Sequence, residues 1–151
     1  AAFLYNFALF TEWPEGTFSD DDSAIVFVVL GEDPFGSILD KTIAGKTIHG
    51  RPLIVRRHRE ISEVTDCHIL YVSQSEQKRL KDIFSKITGK HMFSVSEIEG
   101  FSSGGGTARF LIKNSRVSLE INTDTAAREQ LSISSKLLKL ATLVHDQESA
   151  R

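Results

Sequence analysis

Ile25-Val26-Phe27-Val28-Val29-Leu30, followed at once by Gly31-Glu32-Asp33-Pro34-Phe35-Gly36, is the stretch that decides the fold. An unbroken apolar run, mostly β-branched and without polar alternation, describes a strand buried on both faces, the habit of a parallel sheet covered by helices. Asp33 as a capping carboxylate and Pro34 at a first helical position predict that the strand turns straight into a helix. Open α/β sheets place ligands at junctions of this kind.

Upstream, Phe3, Leu4, Phe7 and Phe10 recur at helical spacing, so residues 1–11 form a helix with one apolar stripe, stopped by Trp13-Pro14. Residues 15–23 are a polar connection, and Asp20-Asp21-Asp22 reads as a solvated turn rather than a cation site. Downstream, Phe35, Ile38, Leu39 and Thr42 fit a short helix, and Gly45 and Gly50 bracket a turn before a strand from Leu53 to Arg57 that starts after Arg51-Pro52. A third strand spans His68 to Val72. Ser75 and Lys78 open a helix whose stripe is Leu80, Ile83, Phe84 and Ile87, and Gly89 closes it. His91 to Val95 reads as a fourth strand, and the glycines of Gly100 to Gly106 predict a mobile loop.

Asn114-Ser115 between two alternating runs predicts a hairpin of Thr107–Lys113 with Arg116–Asn122. A two-residue turn fixes its register: Ile112 faces Val117, Phe110 faces Leu119 and Ala108 faces Ile121 on one side, with Arg109 opposite Glu120 on the other. Asp124 or Thr123 then caps a helix through Ala127 and Glu129. Ser134 starts a last helix with Leu137, Leu138, Ala141 and Val144 facing inward. The expected architecture is a single α/β domain over residues 1–151, one mixed β-sheet flanked by helices in Rossmann-like layers, with a C-terminal antiparallel hairpin.

Eighteen basic against twenty acidic side chains give a formal charge of −2, which offers no footprint for nucleic acid or an anionic membrane surface. No run approaches the roughly 18 apolar residues of a membrane-spanning helix. The chain begins at Ala1 without a methionine, so removal of an upstream segment is expected. Cys67 is the only cysteine, placed beside a buried strand, so an inert buried thiol is expected and an internal disulfide is excluded.

Chemistry-bearing motifs are sparse. Ala44-Gly45-Lys46-Thr47 is not a phosphate loop, because Asp40 stands where the motif needs glycine. Glu32 and Asp33 put negative charge where a dinucleotide phosphate would sit. His49, His58, His68, His91 and His145 form no recognisable constellation with a nucleophile or a second metal ligand. No cofactor or metal site is expected from these motifs, and none of them marks a catalytic centre, though a triad assembled only in space leaves no such mark. Arg109 opposite Glu120, with Asn122 beyond, is the one polar constellation that spacing itself assembles, either as a grip on a ligand or partner or as a cross-strand ion pair.

Ala2-Phe3-Leu4-Tyr5-Asn6-Phe7 with Trp13-Pro14, and Val29-Leu30-Gly31 with Asp33-Pro34-Phe35-Gly36, resemble the YfiR-like family of bacterial periplasmic proteins. The resemblance continues through Gly45-Lys46 with Gly50-Arg51, Cys67-His68-Ile69-Leu70-Tyr71-Val72-Ser73, Gly100-Phe101 with Gly104-Gly105-Gly106, Glu120-Ile121-Asn122 and Ile133-Ser134-Ser135-Lys136-Leu137-Leu138. It implies a signal-peptide-processed periplasmic regulator that represses a membrane diguanylate cyclase by binding its periplasmic sensor domain, lowering cyclic di-GMP and biofilm formation, with a tendency to form a homodimer and no insertion into the membrane. The single Cys67 departs from the disulfide-bearing members, so redox control by an internal disulfide is not carried over. A docking module needs an exposed apolar patch, expected around Trp13, Phe101 or the last helix. The alternative is a periplasmic small-molecule receptor that uses the Gly100–Gly106 loop as a lid over Arg109, Glu120 and Asn122.

Overall fold

The Ile25–Leu30 run is a strand with every residue buried, as its uniform hydrophobicity requires. A computed structural model describes residues 1–20 and 22–146. In chain order the elements are α1 (Ala2–Leu9), β1 (Thr11–Glu12), β2 (Ile25–Leu30), α2 (Ser37–Ile43), β3 (Thr47–Ile48), β4 (Arg51–His58), β5 (Ile69–Val72), α3 (Leu80–Ile87), β6 (Phe93–Ser96), β7 (Ala108–Lys113), β8 (Arg116–Asn122), α4 (Thr123–Arg128), β9 (Ser132–Ile133), α5 (Ser135–Leu138) and β10 (Ala141–Val144). The main sheet has eight strands in the order β10-β8-β7-β6-β5-β2-β4-β3. From β4 to β7 the neighbours are parallel; β7 and β8 form the antiparallel hairpin, and β10 returns parallel to β8. The mixed sheet flanked by helices is the architecture the sequence led us to expect.

Each sheet face carries its own core. On one, Phe3 of α1 meets Phe110 at 4.0 Å between ring centroids and Phe7 stacks on Phe93 at 5.0 Å, with Leu39 and Ile43 of α2 beside them. On the other, Ile83 and Ile87 of α3 pack with Val26, Val28, Leu30, Leu70 and Val72. The hairpin has the expected register at every pair from Ala108↔Ile121 to Lys113↔Arg116. Its turn residues Asn114 and Ser115 both have positive φ, 53° and 64°, as a two-residue turn matching the strand twist demands.

Three expectations are corrected, and two short strand pairs appear that the sequence did not signal. The helix after β2 begins at Ser37, not at Pro34: Asp33 Oδ1 instead accepts the Phe35 N–H at 2.8 Å, a local turn that competes with the first helical turn. Arg57 then holds Asp33 at 2.6 Å and Asp40 at 2.8 Å; burial pulls the Asp33 carboxyl up, but Arg57 leaves it below its ordinary value. The cap of α4 is neither Thr123 nor Asp124 but Asn122, whose Oδ1 accepts from the Asp124 and Thr125 N–H groups. The last helix stops at Leu138, and Ala141–Val144 joins the free edge of β8 as β10. Once β8 offers unpaired backbone groups, a tetrapeptide half of whose residues are β-branched gains more from the ladder than from a helix. Finally, Thr11–Glu12 pairs with Ser132–Ile133 and β3 pairs with the start of β4, strands too short to leave a periodic signal.

Candidate functional site

The crevice outside the carboxyl ends of β2 and β5, where the sheet order reverses, is the place to look for a ligand in such a sheet. Here it is filled by the protein itself. Ser75 Oγ accepts the Glu32 N–H at 3.0 Å and donates to Glu76 Oε2 at 3.1 Å, and the buried Glu76 carboxylate is paired with Arg79. Gly31, at φ +93°, admits this packing, since a Cβ there would lie 2.6 Å from Ser75 Oγ. A carboxylate in that position repels a phosphate, so the strand-to-helix junction that opens the sequence serves packing.

Beside it, the structure separates the residues that sequence spacing had brought together. Arg109 and Glu120 are opposite in register but do not form an ion pair. Arg109 Nε donates to the Glu97 carbonyl at 3.2 Å, whereas Glu120 Oε1 accepts from Ser102 Oγ at 2.7 Å. Asn122 is fully buried, and its Nδ2 donates to the Ser102 carbonyl at 2.7 Å and to Asp146 Oδ1 at 2.9 Å. With its Oδ1 capping α4, its hydrogen-bonding capacity is committed.

The glycine-rich loop is consequently latched rather than free to act as a lid. Besides the Ser102 contacts, Thr125 Oγ1 donates to the Gly105 carbonyl at 3.1 Å and Gly106 N–H to Phe101 O at 2.9 Å. Phe101 is fully buried against Phe84, 5.2 Å between centroids, so it is a plug of the second core and presents no surface. Arg109, Glu120 and Asn122, the residues of the receptor reading, are thus each bonded to a partner of their own.

Trp13 is half-buried at the amino end of the sheet, edge-on to Phe18 at 6.3 Å and to His68 at 5.9 Å, and its Nε1 is buried without a hydrogen-bond partner among the described residues. Phe18 stacks on His68 at 4.4 Å and under the Arg51 guanidinium at 3.8 Å. His68 Nδ1 accepts the buried Val26 N–H at 2.9 Å, which makes it the unprotonated nitrogen, and desolvation lowers its pKa to about 4. Cys67 next to it is buried and its thiol is pushed up by the same desolvation, which leaves it unreactive. Among the described residues no group of three or more His, Cys, Asp or Glu is placed to hold a metal ion.

Glu129, which sequence periodicity marks only as part of a helix, clamps the turn between α3 and β6. Its two buried carboxylate oxygens accept the Gly89 and His91 N–H groups, each at 2.8 Å. Glu129→Ala is expected to cost about 2–3 kcal/mol by orphaning both donors, and Glu129→Gln roughly half of that; urea unfolding at pH 7 measures both.

Large hydrophobic side chains are exposed at Ile38 and Leu140, and as a group along one sheet face of the hairpin and β10. Ile112 and Val117 face each other across the hairpin at 63% and 59% exposure, and Leu143 of β10 is 49% exposed on the same sheet face, beside Ile121. Leu119 and Ala141, both half-buried, join them into one strip. The reason is length: α1 is an eight-residue helix, spanning about 12 Å, and its cover of the sheet ends at Phe110. Hairpin alternation did mark Ile112 and Val117 as facing residues, but it gave no sign that the covering helix stops short of them.

Compared with known proteins, residues 1–142 match the model of the YfiR/HmsC-like family. The chain belongs to that family. Members are periplasmic regulatory proteins that act on diguanylate cyclases, and they are not known as enzymes. No curated protein matches the chain. No helix among the described residues is long and apolar enough to cross a membrane.

Proposed function

We propose that this protein represses a membrane diguanylate cyclase by docking on the cyclase's periplasmic sensor domain through the strip formed by Ile112, Val117 and Leu143. The observation that carries this reading is the continuation of a covered apolar sheet face past the end of α1, in a chain of a family that regulates such cyclases. Two opposed aliphatic side chains on the hairpin, beside half-buried apolar neighbours, offer a partner an apolar surface to cover. Arg109 and Glu120 lie on the opposite sheet face and Trp13 at the amino end of the strands, so the proposed contact excludes them.

Repression then requires only binding. Release of the sensor domain lets cyclic di-GMP rise in the cytoplasm and favours biofilm formation, with this protein never meeting the nucleotide. Secretion of the chain into the periplasm of cells carrying its cognate cyclase is expected to lower cellular cyclic di-GMP severalfold, and the folded Ile112→Asp/Val117→Asp variant is expected to leave it unchanged. Equal cyclic di-GMP with and without the wild-type chain contradicts the reading. If the strip instead seats a second copy, sedimentation of the chain alone gives a dimer that the double variant dissolves.

A further inference from the structure

At the other end of the sheet β4 has an open outer edge. β3 covers it only at Arg51 and Pro52, and beyond Pro52 no described strand pairs with its outer side. The His58 carbonyl accepts the Gly31 N–H across the ladder to β2, and in a parallel ladder the residues pointing to one neighbour alternate with those pointing away. The N–H and C=O groups of Leu53, Val55 and Arg57 therefore point outward.

This edge is also the basic part of a chain whose formal charge is −2. From position 41 to position 59 the sequence carries Lys41, Lys46, Arg51, Arg56, Arg57 and Arg59 and no carboxylate. Arg57 is neutralised by Asp33 and Asp40, and Arg51 is turned to the carbonyls of Asp20 and Ser23. Lys41, Lys46, Arg56 and Arg59 are exposed. Glu60 and Glu63 follow the strand, with Glu63 folded back onto the Arg59 and Glu60 N–H groups.

We propose that the β4 edge is a strand-addition site for an extended acidic segment of a partner polypeptide. Backbone pairing to Leu53, Val55 and Arg57 supplies affinity, and the flanking cations select a segment with carboxylates on alternate residues. The same cations disfavour the occupant most available to any open edge, another copy of itself, because antiparallel pairing of two β4 strands about Val55 brings Arg59 of each copy towards Arg51 of the other. A membrane surface satisfies the charge but leaves the outward N–H and C=O groups unpaired. The inference stands independently of the cyclase reading, which uses the opposite end of the sheet.

The test is amide hydrogen exchange of the whole chain, followed by NMR, with a blocked octapeptide alternating glutamate and valine as probe. At saturation the Leu53, Val55 and Arg57 amides are expected to exchange at least tenfold more slowly, and Arg56→Glu with Arg59→Glu to weaken the peptide at least tenfold while the exchange of the β5 amides stays unchanged. Four results overturn the proposal: no slowing at millimolar peptide; equal slowing by the matching lysine-valine peptide; slowing that grows with protein concentration alone, which assigns the edge to a second copy; or binding to phosphatidylglycerol vesicles without any slowing by the acidic peptide.

Discussion

Phe101→Ala is expected to destabilise the protein by about 3–5 kcal/mol, because it empties a fully buried aromatic site that the latched glycine loop cannot collapse to fill. For a chain of this size that is a fall in melting temperature of roughly 10 °C. Its partner in the effect is Gly106, where a Cβ would overlap Cε2 of the Phe101 ring. Gly106→Ala alone is therefore expected to be destabilising by overpacking, about 1–3 kcal/mol. In the Phe101→Ala background that methyl meets empty space, so the two changes together cost less than their sum by about 1–3 kcal/mol. Thermal unfolding of the four proteins in the cycle measures this. Strict additivity contradicts the packing account of the loop, and so does a Phe101→Ala protein as stable as the wild type.

The second large effect is acid destabilisation through His68. Its imidazole is 7% exposed, stacked on Phe18, and holds the Val26 N–H with the nitrogen that protonation would occupy. The folded chain binds this proton with a pKa of about 4, the unfolded chain near the ordinary 6.5. Between those values the unfolded state carries the extra proton, so stability falls as pH falls from about 6.5 towards 4 and stops falling on this account below the folded value. By pH 5 the loss is about 2 kcal/mol, and it approaches about 3 kcal/mol near pH 4. Urea unfolding at pH 7 and pH 5 checks it. His68→Asn is expected to be less stable at pH 7 but to lose most of the difference between the two pH values. A wild type equally stable at pH 5 and 7 refutes the assignment.

Much of the scaffold was legible in the sequence because its signals are local. The uniform Ile25–Leu30 run could only be a strand buried on both faces, and the Asn114-Ser115 turn fixed the hairpin register because a two-residue loop leaves no freedom to slip. What failed was decided by distant partners. Asp33 looked like a helix cap until Arg57, far along the chain, held its carboxylate. Ala141 and Val144 fit a helical stripe until the edge of β8 was available to pair with them.

The candidate site was less legible for the same reason. Register correctly placed Arg109 opposite Glu120, but Glu97 and Ser102 recruit the two side chains separately, and those contacts come from the loops between β6 and β7. The four glycines that looked like a flexible lid instead let the loop close tightly over Phe101, held by Glu120, Asn122 and Thr125. Exposure of Ile112 and Val117 depends on where another helix ends, a tertiary quantity with no periodic trace.

Titration calorimetry of this chain against the purified periplasmic sensor domain of a membrane diguanylate cyclase from the same cell tests the repressor reading most directly. The account predicts one-to-one binding, micromolar or tighter, weakened at least tenfold by Ile112→Asp with Val117→Asp and unchanged by Arg109→Ala. No heat and no complex from two folded proteins contradicts it, as does a double variant that binds like the wild type.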